Sequence, residues 1–304
     1  FNGERPSNKG DDMYTQLSRI PAGNVERIEI VDGATLDIPG LSGQVANIVY
    51  RADAFSGQFS WKPEFRAHYT DPLLTRADVS VRGRSGDVEY EAAVNNDESA
   101  RSGAGGPTLI SDGAGVVIER REDIWNTHYD TPKLSARITW DPAGDTVANF
   151  GGHYQRKYDR YFEDGVRGSP SQPDRARTVY ENADSWNYEV SGDYQSGLGP
   201  GKLKLIALRR FSHEPYLQEI VTTPVGGVAT GDRFAQTGDL GETIGRGEYQ
   251  WKMFGGDWQV SGEGAVSYTH LRAHETVLDY VCRLLLEKKK TLRQNTQSTP
   301  TNIN

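Results

Sequence analysis

The chain has 304 residues, a formal net charge of −8 and a mean hydropathy of −0.67, so it is polar and acidic overall. No stretch approaches the ~18 consecutive apolar residues of a membrane-spanning helix, and the acidic balance argues against a nucleic-acid partner. With one cysteine, Cys282, no internal disulfide is possible, and the 34 glycines and 15 tyrosines suit many turns and strands.

The first twenty residues predict one short helix. Met13, Leu17 and Ile20 have helical spacing, which places the helix over Asp12–Ile20. The chain opens at Phe1 without a secretory signal, which is typical of a segment cut from something longer.

Two short β-strands are predicted next. Val25–Val31 alternates β-branched residues with charged ones, and Val45–Tyr50 is a second run rich in β-branched residues. Asp32 and Gly33 form a turn signal between them, because glycine adopts a positive φ without steric cost.

From Gly57 the pattern changes to a period of two, with apolar residues on one face and polar residues on the other. Pro63 weakens the first of these stretches as a strand. About nine amphipathic strands are predicted before Ala265. Their apolar faces carry, in chain order, Phe59 and Trp61, Val79 and Val81, Tyr90 and Val94, Leu134 and Ile138, Phe150 and Tyr154, Tyr188 and Val190, Leu203 and Leu205, Tyr249 and Trp251, and Trp258 and Val260.

Short turns and long polar segments separate these strands in alternation. The turns are marked by Gly86, Gly144, Gly199 and Gly256. The long segments, predicted as loops, are residues 96–132, 157–185 and 212–246. Short turns at one end and long loops at the other are typical of an outer-membrane β-barrel. A soluble antiparallel sheet with one wet face also alternates, but loops above ~12–15 residues are uncommon in compact domains.

Aromatic residues lie beside the short turns. Trp140, Tyr194 and Trp258 occupy the positions where a barrel has its interfacial aromatic girdle.

The two N-terminal strands carry residues in a pattern that resembles the end of the plug domain of TonB-dependent outer-membrane receptors. The matching positions are Val25, Glu26, Arg27, Ile28, Glu29, Gly33, Gly43, Asn47 and Arg51. The loop between the strands departs from the family, which often has Arg-Gly-Pro after the first strand. The resemblance implies a mainly β fold, in which residues 1–52 are the C-terminal part of an α+β plug domain. Residues 53–265 would then be the N-terminal part of an incomplete antiparallel transmembrane β-barrel.

The same resemblance implies a function at the cell outer membrane, namely energy-coupled uptake of a scarce ligand. Siderophores, vitamins, metal chelates and oligosaccharides are all candidate ligands. The implied partners are that ligand, outer-membrane lipid and the inner-membrane energy-coupling protein TonB, which would act through a missing N-terminus. No bond is made or broken, so we expect no enzyme activity, catalytic residue, cofactor or metal. About nine strands cannot close a plugged barrel, which needs about 22.

A ligand-binding cluster is predicted at the base of one long segment. Lys157, Tyr158, Arg160, Tyr161 and Phe162 combine charge with aromatic surface, which suits either a chelate or a sugar. Packing within a loop or an aromatic girdle is the alternative role for these residues.

The C-terminal tail, Val266–Asn304, resembles a translated sequencing adapter that runs into poly-A, and we therefore leave it out of the predicted fold. This removes His270 and His274, whose spacing would otherwise suit two metal ligands on one helix face.

Two other function classes remain open. A passive porin-like barrel has no plug, so the Asn24–Arg51 pattern argues against it. A soluble β-rich carbohydrate-binding protein or hydrolase would need a recognisable site, and a glycosidase needs two positioned carboxylates. No such pair stands out in the sequence.

Overall fold

The computed structural model describes residue 17 and residues 19–32, 43–51, 55–142 and 144–275. The helix predicted over Asp12–Ile20 lies mainly outside these residues. A short 3-10 helix, Ala22–Asn24, leads into two antiparallel strands, β1 (Val25–Asp32) and β2 (Gln44–Tyr50), which pair with each other. Both predicted N-terminal strands are therefore confirmed.

Twelve further strands form one antiparallel sheet, so the fold is mainly β as predicted. They are β3 (Phe55–Trp61), β4 (Ala77–Ser85), β5 (Val88–Asn95), β6 (Ala100–Ser111), β7 (Val117–Asp130), β8 (Lys133–Trp140), β9 (Val147–Ser169), β10 (Gln172–Asn182), β11 (Ser185–Leu198), β12 (Gly201–Pro224), β13 (Thr230–Met253) and β14 (Gly256–Glu275). The first of them, β3, ends two residues before Pro63, as expected for a residue that cannot donate to a strand ladder.

The twelve strands trace nine passes across the sheet, because three passes are each split by a short break. β5 continues into β6, β7 into β8, and β10 into β11, and each pair lies along the same neighbouring strands. At one of these breaks the backbone N–H of Thr131 donates to Oδ1 of Asn96 at 2.9 Å. Each of the nine alternating stretches in the sequence lies in a different pass.

The three long segments predicted as loops are mostly strand, and that prediction is wrong. They contain β6 and β7, the second part of β9 with β10, and the facing parts of β12 and β13. The connections that remain are residues 112–116, 170–171 and 225–229. Backbone pairing between strands continues through the three long segments although both of their faces carry polar side chains. A period of two appears only where one face meets an apolar environment.

Each long pass therefore has two halves. We call the half beside the short turns the turn half and the half toward residues 112–116, 170–171 and 225–229 the extended half. In β9 they are residues 147–157 and 158–169. The short turns beside the turn half need a residue with positive φ. Between β4 and β5 this residue is Gly86, which has a φ of 60°.

The last strand, β14, continues past Ala265 and pairs with β13 as far as Glu275 opposite Phe234. Residues 266–275 are thus part of the sheet, contrary to their exclusion from the predicted fold. An extended segment beside an unpaired strand edge needs only backbone groups to join the ladder. Residues 276–304, the rest of the adapter-like tail, lie outside the described residues.

Burial in the turn half is the reverse of that in a water-soluble sheet. Leu134 is 57% exposed while its neighbour Ser135 is 7% exposed, and Val190 is 41% exposed while Ser191 is 3% exposed. We call the side with Leu134 and Val190 the apolar face and the side with Ser135 and Ser191 the polar face. The exposed members of the apolar face include Phe59, Val79, Val94, Leu134, Ile138, Phe150, Tyr154, Val190, Tyr194, Leu205 and Val260. The covered side of this sheet is therefore its polar side.

Candidate functional site

The N-terminal unit lies against the polar face of the sheet. Arg19 is 6% exposed, and its guanidinium contacts Glu91 at 3.2 Å and Asp78 at 3.8 Å. Glu91 also binds Arg82 at 2.5 Å, and the Arg82 guanidinium lies 5.1 Å from the centre of the Tyr50 ring. Burial raises the pKa of Tyr50. A buried arginine between two carboxylates ties the N-terminal segment to β4 and β5.

The plug-like motif forms a connected polar surface on β1 and β2. Glu29 lies opposite Asn47 in the strand pairing, accepts a hydrogen bond from Asn47 Nδ2 at 2.9 Å and binds Arg27 Nε at 2.6 Å. The hydrogen bond from Arg27 holds the pKa of Glu29 below its usual range. Arg51 reaches back to Glu26 at 3.2 Å. The polar motif residues therefore hold the two strands in register.

The apolar and glycine positions of the plug-like motif lie outside this polar surface. Ile28 projects into solvent and is 62% exposed, whereas Val25 lies opposite Tyr50. Gly43 has a φ of 81° just before β2, a conformation that favours glycine. Gly33 lies outside the described residues.

Five residues of the predicted ligand-binding cluster lie on one strand, β9, and alternate between its faces. Lys157 and Tyr161 are on the polar face, and Tyr158, Arg160 and Phe162 are on the apolar face. The two groups meet different neighbours: Tyr161 donates to Glu163 Oε2 at 2.8 Å, whereas Arg160 binds Asp184 at 3.0 Å. The structure does not bring the five side chains to one place.

A denser charged cluster surrounds Tyr161 on the polar face of the extended half. Glu163 binds Arg177 at 2.6 Å and Arg167 at 3.2 Å, and Arg167 lies 3.8 Å from Asp123. The carboxylate of Asp123 lies over Gly165, where an added Cβ would clash with it. We call this group, together with Glu119, Arg121 and Arg175, the arginine cluster.

Glu119 completes the arginine cluster by binding both Arg121 and Arg175. The hydrogen bond from Arg121 lowers the pKa of Glu119. The cluster thus sets four guanidinium groups against three carboxylates. Its members are Glu119, Arg121, Asp123, Tyr161, Glu163, Arg167, Arg175 and Arg177.

Positive charge is crowded in this cluster. Burial lowers the pKa of Arg167, and the positive charges of Arg177 and Arg121 lower it further. Arg167 Nε and Arg175 Nη1 are buried without a hydrogen-bond partner among the described residues. Burial and the hydrogen bond to Glu163 together raise the pKa of Tyr161 to about 12. Asp123 Oδ1, a carboxylate oxygen of the same cluster, is likewise buried without a partner among the described residues.

The sequence interpretation missed most of this cluster because its strands lie in segments predicted as loops. The signal was present as charged residues at strand spacing, for instance Glu119 and Arg121, or Arg175 and Arg177. Residues two apart share a face of a strand.

Aromatic residues form two belts on the apolar face. Beside the short turns, Trp251 stacks 5.4 Å from Tyr249 and 6.5 Å from Trp258. At the junction with the extended half, Trp186 lies 5.3 Å from Phe211. The second belt also includes Tyr154 and Tyr188.

The described ranges contain no group of three or more His, Cys, Asp or Glu residues arranged to hold a metal. They also contain no helix that is long and apolar enough to cross a membrane. Comparison of the chain with family models, curated proteins and solved structures found no match.

Proposed function

We propose that this chain is part of an outer-membrane receptor for the energy-coupled uptake of a scarce ligand. The observation that carries the proposal is the reversed burial of the turn half, whose apolar face is exposed and whose polar face is covered. A soluble protein rarely exposes a contiguous apolar patch larger than a few hundred Å². In a bilayer the same face contacts lipid tails, and burial of apolar surface stabilises the protein.

The two aromatic belts support the proposal through their spacing. Phe211 of the second belt lies opposite Gly241, and Tyr249 belongs to the belt beside the short turns, so the belts are eight residues apart along β13. At about 3.4 Å per residue this is roughly 27 Å along the strand, or ~20 Å once the strand tilts. Outer-membrane proteins have an apolar band about 25 Å tall with aromatic girdles at both edges.

The position of the N-terminal unit favours a receptor over a passive porin. A porin keeps its polar interior open to water, whereas here Arg19 and Tyr50 cover polar-face residues of β4 and β5. The resemblance of β1 and β2 to a plug domain supports the same reading. It implies the inner-membrane protein TonB as the partner that supplies energy.

The arginine cluster is our candidate ligand site. Its four guanidinium groups and the unpartnered N–H groups of Arg167 and Arg175 suit carboxylate or phosphate oxygens. We therefore favour a ligand with negative charge, such as an anionic metal chelate, over a neutral oligosaccharide.

Membrane insertion is tested with single-tryptophan variants in bilayers whose lipids carry bromine at defined depths. A variant that retains only Trp258, in the belt beside the short turns, should be strongly quenched. A variant that retains only Trp125, which stacks on Tyr161 in the extended half, should not. Equal and weak quenching of both, with the chain leaving cells without detergent, would instead support a soluble β-rich protein.

Trp125 also reports on the ligand site, because its ring centre lies 6.1 Å from that of Tyr161. Ferric citrate, an anionic chelate, should change Trp125 emission, and the neutral sugar maltotriose should not. Arg177→Gln should weaken the citrate response about tenfold, as expected for the loss of one charge-assisted hydrogen bond. A response to maltotriose alone would assign the site to sugars.

A further inference from the structure

We propose that the apolar face binds one anionic lipid, with an acyl chain in a groove beside Ala207 and a phosphate on Arg209. This inference rests on the proposed location in the outer membrane. It concerns the apolar face of the sheet and so is separate from the ligand site on the polar face.

The groove exists because three small residues lie side by side. Gly192 is opposite Phe150 on β9 and Ala207 on β12, and Ala207 is opposite Gly245 on β13. The resulting depression has a volume of about 470 Å³. Its apolar walls include Phe150, Val190, Tyr194 and Leu205. A groove with these walls matches the apolar character of a lipid tail.

Arg209 lies at the end of this groove nearer the extended half. It projects from the apolar face, between Val190 on β11 and Thr243 on β13. A charged residue on the lipid-facing side of a strand is unfavourable unless its head reaches the interface. The Arg209 guanidinium extends in that direction. Its nitrogens lie 3.4 and 3.5 Å from the position that a Cβ on Gly241 would occupy.

Gly241 therefore makes room for the guanidinium at the level of the second aromatic belt, beside Phe211. This level is where the headgroups of a surrounding bilayer begin. An acyl chain lying in the groove would carry its headgroup to the same level.

The guanidinium retains most of its hydrogen-bonding capacity. Thr243 Oγ1 accepts a hydrogen bond from Arg209 Nη1 at 2.8 Å. In the described part of the chain no carboxylate forms an ion pair with Arg209, whereas the next residue, Arg210, binds Glu242 at 2.7 Å on the polar face. Arginine has five N–H donors in a planar fork that matches phosphate oxygens. A phosphate is thus the complementary group for this position.

The test is native mass spectrometry of the full chain released from detergent micelles. The micelles contain phosphatidylglycerol and diacylglycerol, which has no phosphate, with identical acyl chains in equal amounts. The wild-type chain should retain phosphatidylglycerol about tenfold better than diacylglycerol, as expected for a charge-assisted hydrogen bond. Arg209→Gln should abolish this preference. Arg233→Gln, the control, removes the same charge from an exposed pair with Glu219 and should leave the preference unchanged.

A second variant tests the groove. Ala207→Leu narrows it from an exposed position and should lower retention of both lipids several-fold. Inorganic phosphate should not displace the bound lipid at concentrations that leave the micelles intact. Persistence of the phosphatidylglycerol preference in Arg209→Gln, or full retention in Ala207→Leu, would overturn the proposal.

The location in a membrane is measured separately by flotation with phosphatidylcholine vesicles. Flotation of wild type and Arg209→Gln without any lipid preference would refute the lipid site and leave the proposed function standing. Because nine passes cannot close a plugged barrel, flotation is measured on the chain carried within a barrel completed by further strands. Failure of that protein to float would refute the proposed membrane location itself.

Discussion

The turn half and the extended half of the same strands obey different rules. Along β9, the turn half places Phe150 and Tyr154 on one face and Asn149 and His153 on the other. The extended half keeps the backbone ladder but carries charge on both faces, with Arg160 on one and Glu163 on the other. The difference shows that the period of two reports the surroundings of a strand and not its existence.

The two halves also differ in the faces on which their charged pairs lie. In the turn half, charged pairs lie on the polar face, as with Arg82 and Glu91. The extended half has the arginine cluster on one face and the pair of Arg160 and Asp184 on the other. Charged side chains are tolerated on both faces where water reaches both faces, and the proposed bilayer would exclude them from the apolar face of the turn half.

The sharpest test of this comparison uses one face of one strand. Phe150→Arg, in the turn half, should destabilise the bilayer-inserted protein by about 2–4 kcal/mol, because it places a charge among lipid tails. Phe162→Arg, in the extended half, should cost less than ~0.5 kcal/mol. The measurement is denaturant unfolding from lipid vesicles. Both side chains are substantially exposed, so equal and small effects would mean that water surrounds both halves.

The arginine cluster offers the next largest effect. Glu163→Gln removes the charge shared by Tyr161, Arg167 and Arg177. It should destabilise the extended half by about 1.5–3 kcal/mol, the range for hydrogen bonds to charged groups. Hydrogen exchange of the β9 and β10 amides measures this. Asp164→Asn, on the opposite and exposed face, is the matched control, and equal protection in both variants would contradict the stabilising role.

A glycine held at positive φ in a short turn should be more sensitive to substitution than a glycine without positive φ at a tip of the extended half. Gly86→Ala forces a side chain into a φ of 60° and should cost about 1 kcal/mol. Gly113, in the connection between β6 and β7, has open space around it and no positive φ. Gly113→Ala should therefore change the unfolding midpoint little. A fall in the midpoint equal to that of Gly86→Ala would show that the positive φ of Gly86 does not cause its sensitivity.

The smallest expected effect is spectroscopic. The pKa of Tyr161 is raised to about 12 in the folded protein, against about 10 for a free tyrosine. The stabilisation linked to its proton is complete below pH 10 and is lost as the pH rises through about 12. An ultraviolet titration of wild type minus Tyr161→Phe should show one tyrosine ionising near pH 12. A difference curve centred near pH 10 would show that burial and Glu163 do not hold this proton.

Much of the fold was predictable because it depends on local patterns. The nine alternating stretches lie in nine passes. Three of the four glycines predicted to mark the short turns, Gly86, Gly144 and Gly199, have positive φ, whereas at the fourth turn Gly255 has it and Gly256 begins β14. The two N-terminal strands follow from β-branched runs on each side of turn residues. The extended half was not predictable in this way, since a strand with polar residues on both faces has the composition of a loop.

The candidate ligand site was likewise predicted only in part from the sequence. Tyr161 was identified from the sequence, but its four predicted companions were chosen by proximity along the chain. In a strand, neighbours in sequence point to opposite faces, so Tyr161 instead meets Glu163, two residues along its own strand, and residues of β7 and β10. Arg209 was passed over because one charged residue among apolar ones gives no pattern.

The sequence by itself determined the β class, the pass count and the division of each turn-half strand into an apolar and a polar face, because these depend on residues two apart. Only the tertiary structure decided which face is covered, how far the strands extend and which charges meet. Those features depend on pairing between strands, which brings Glu163 to Arg177 and Arg209 to Thr243 across distances that no local pattern encodes.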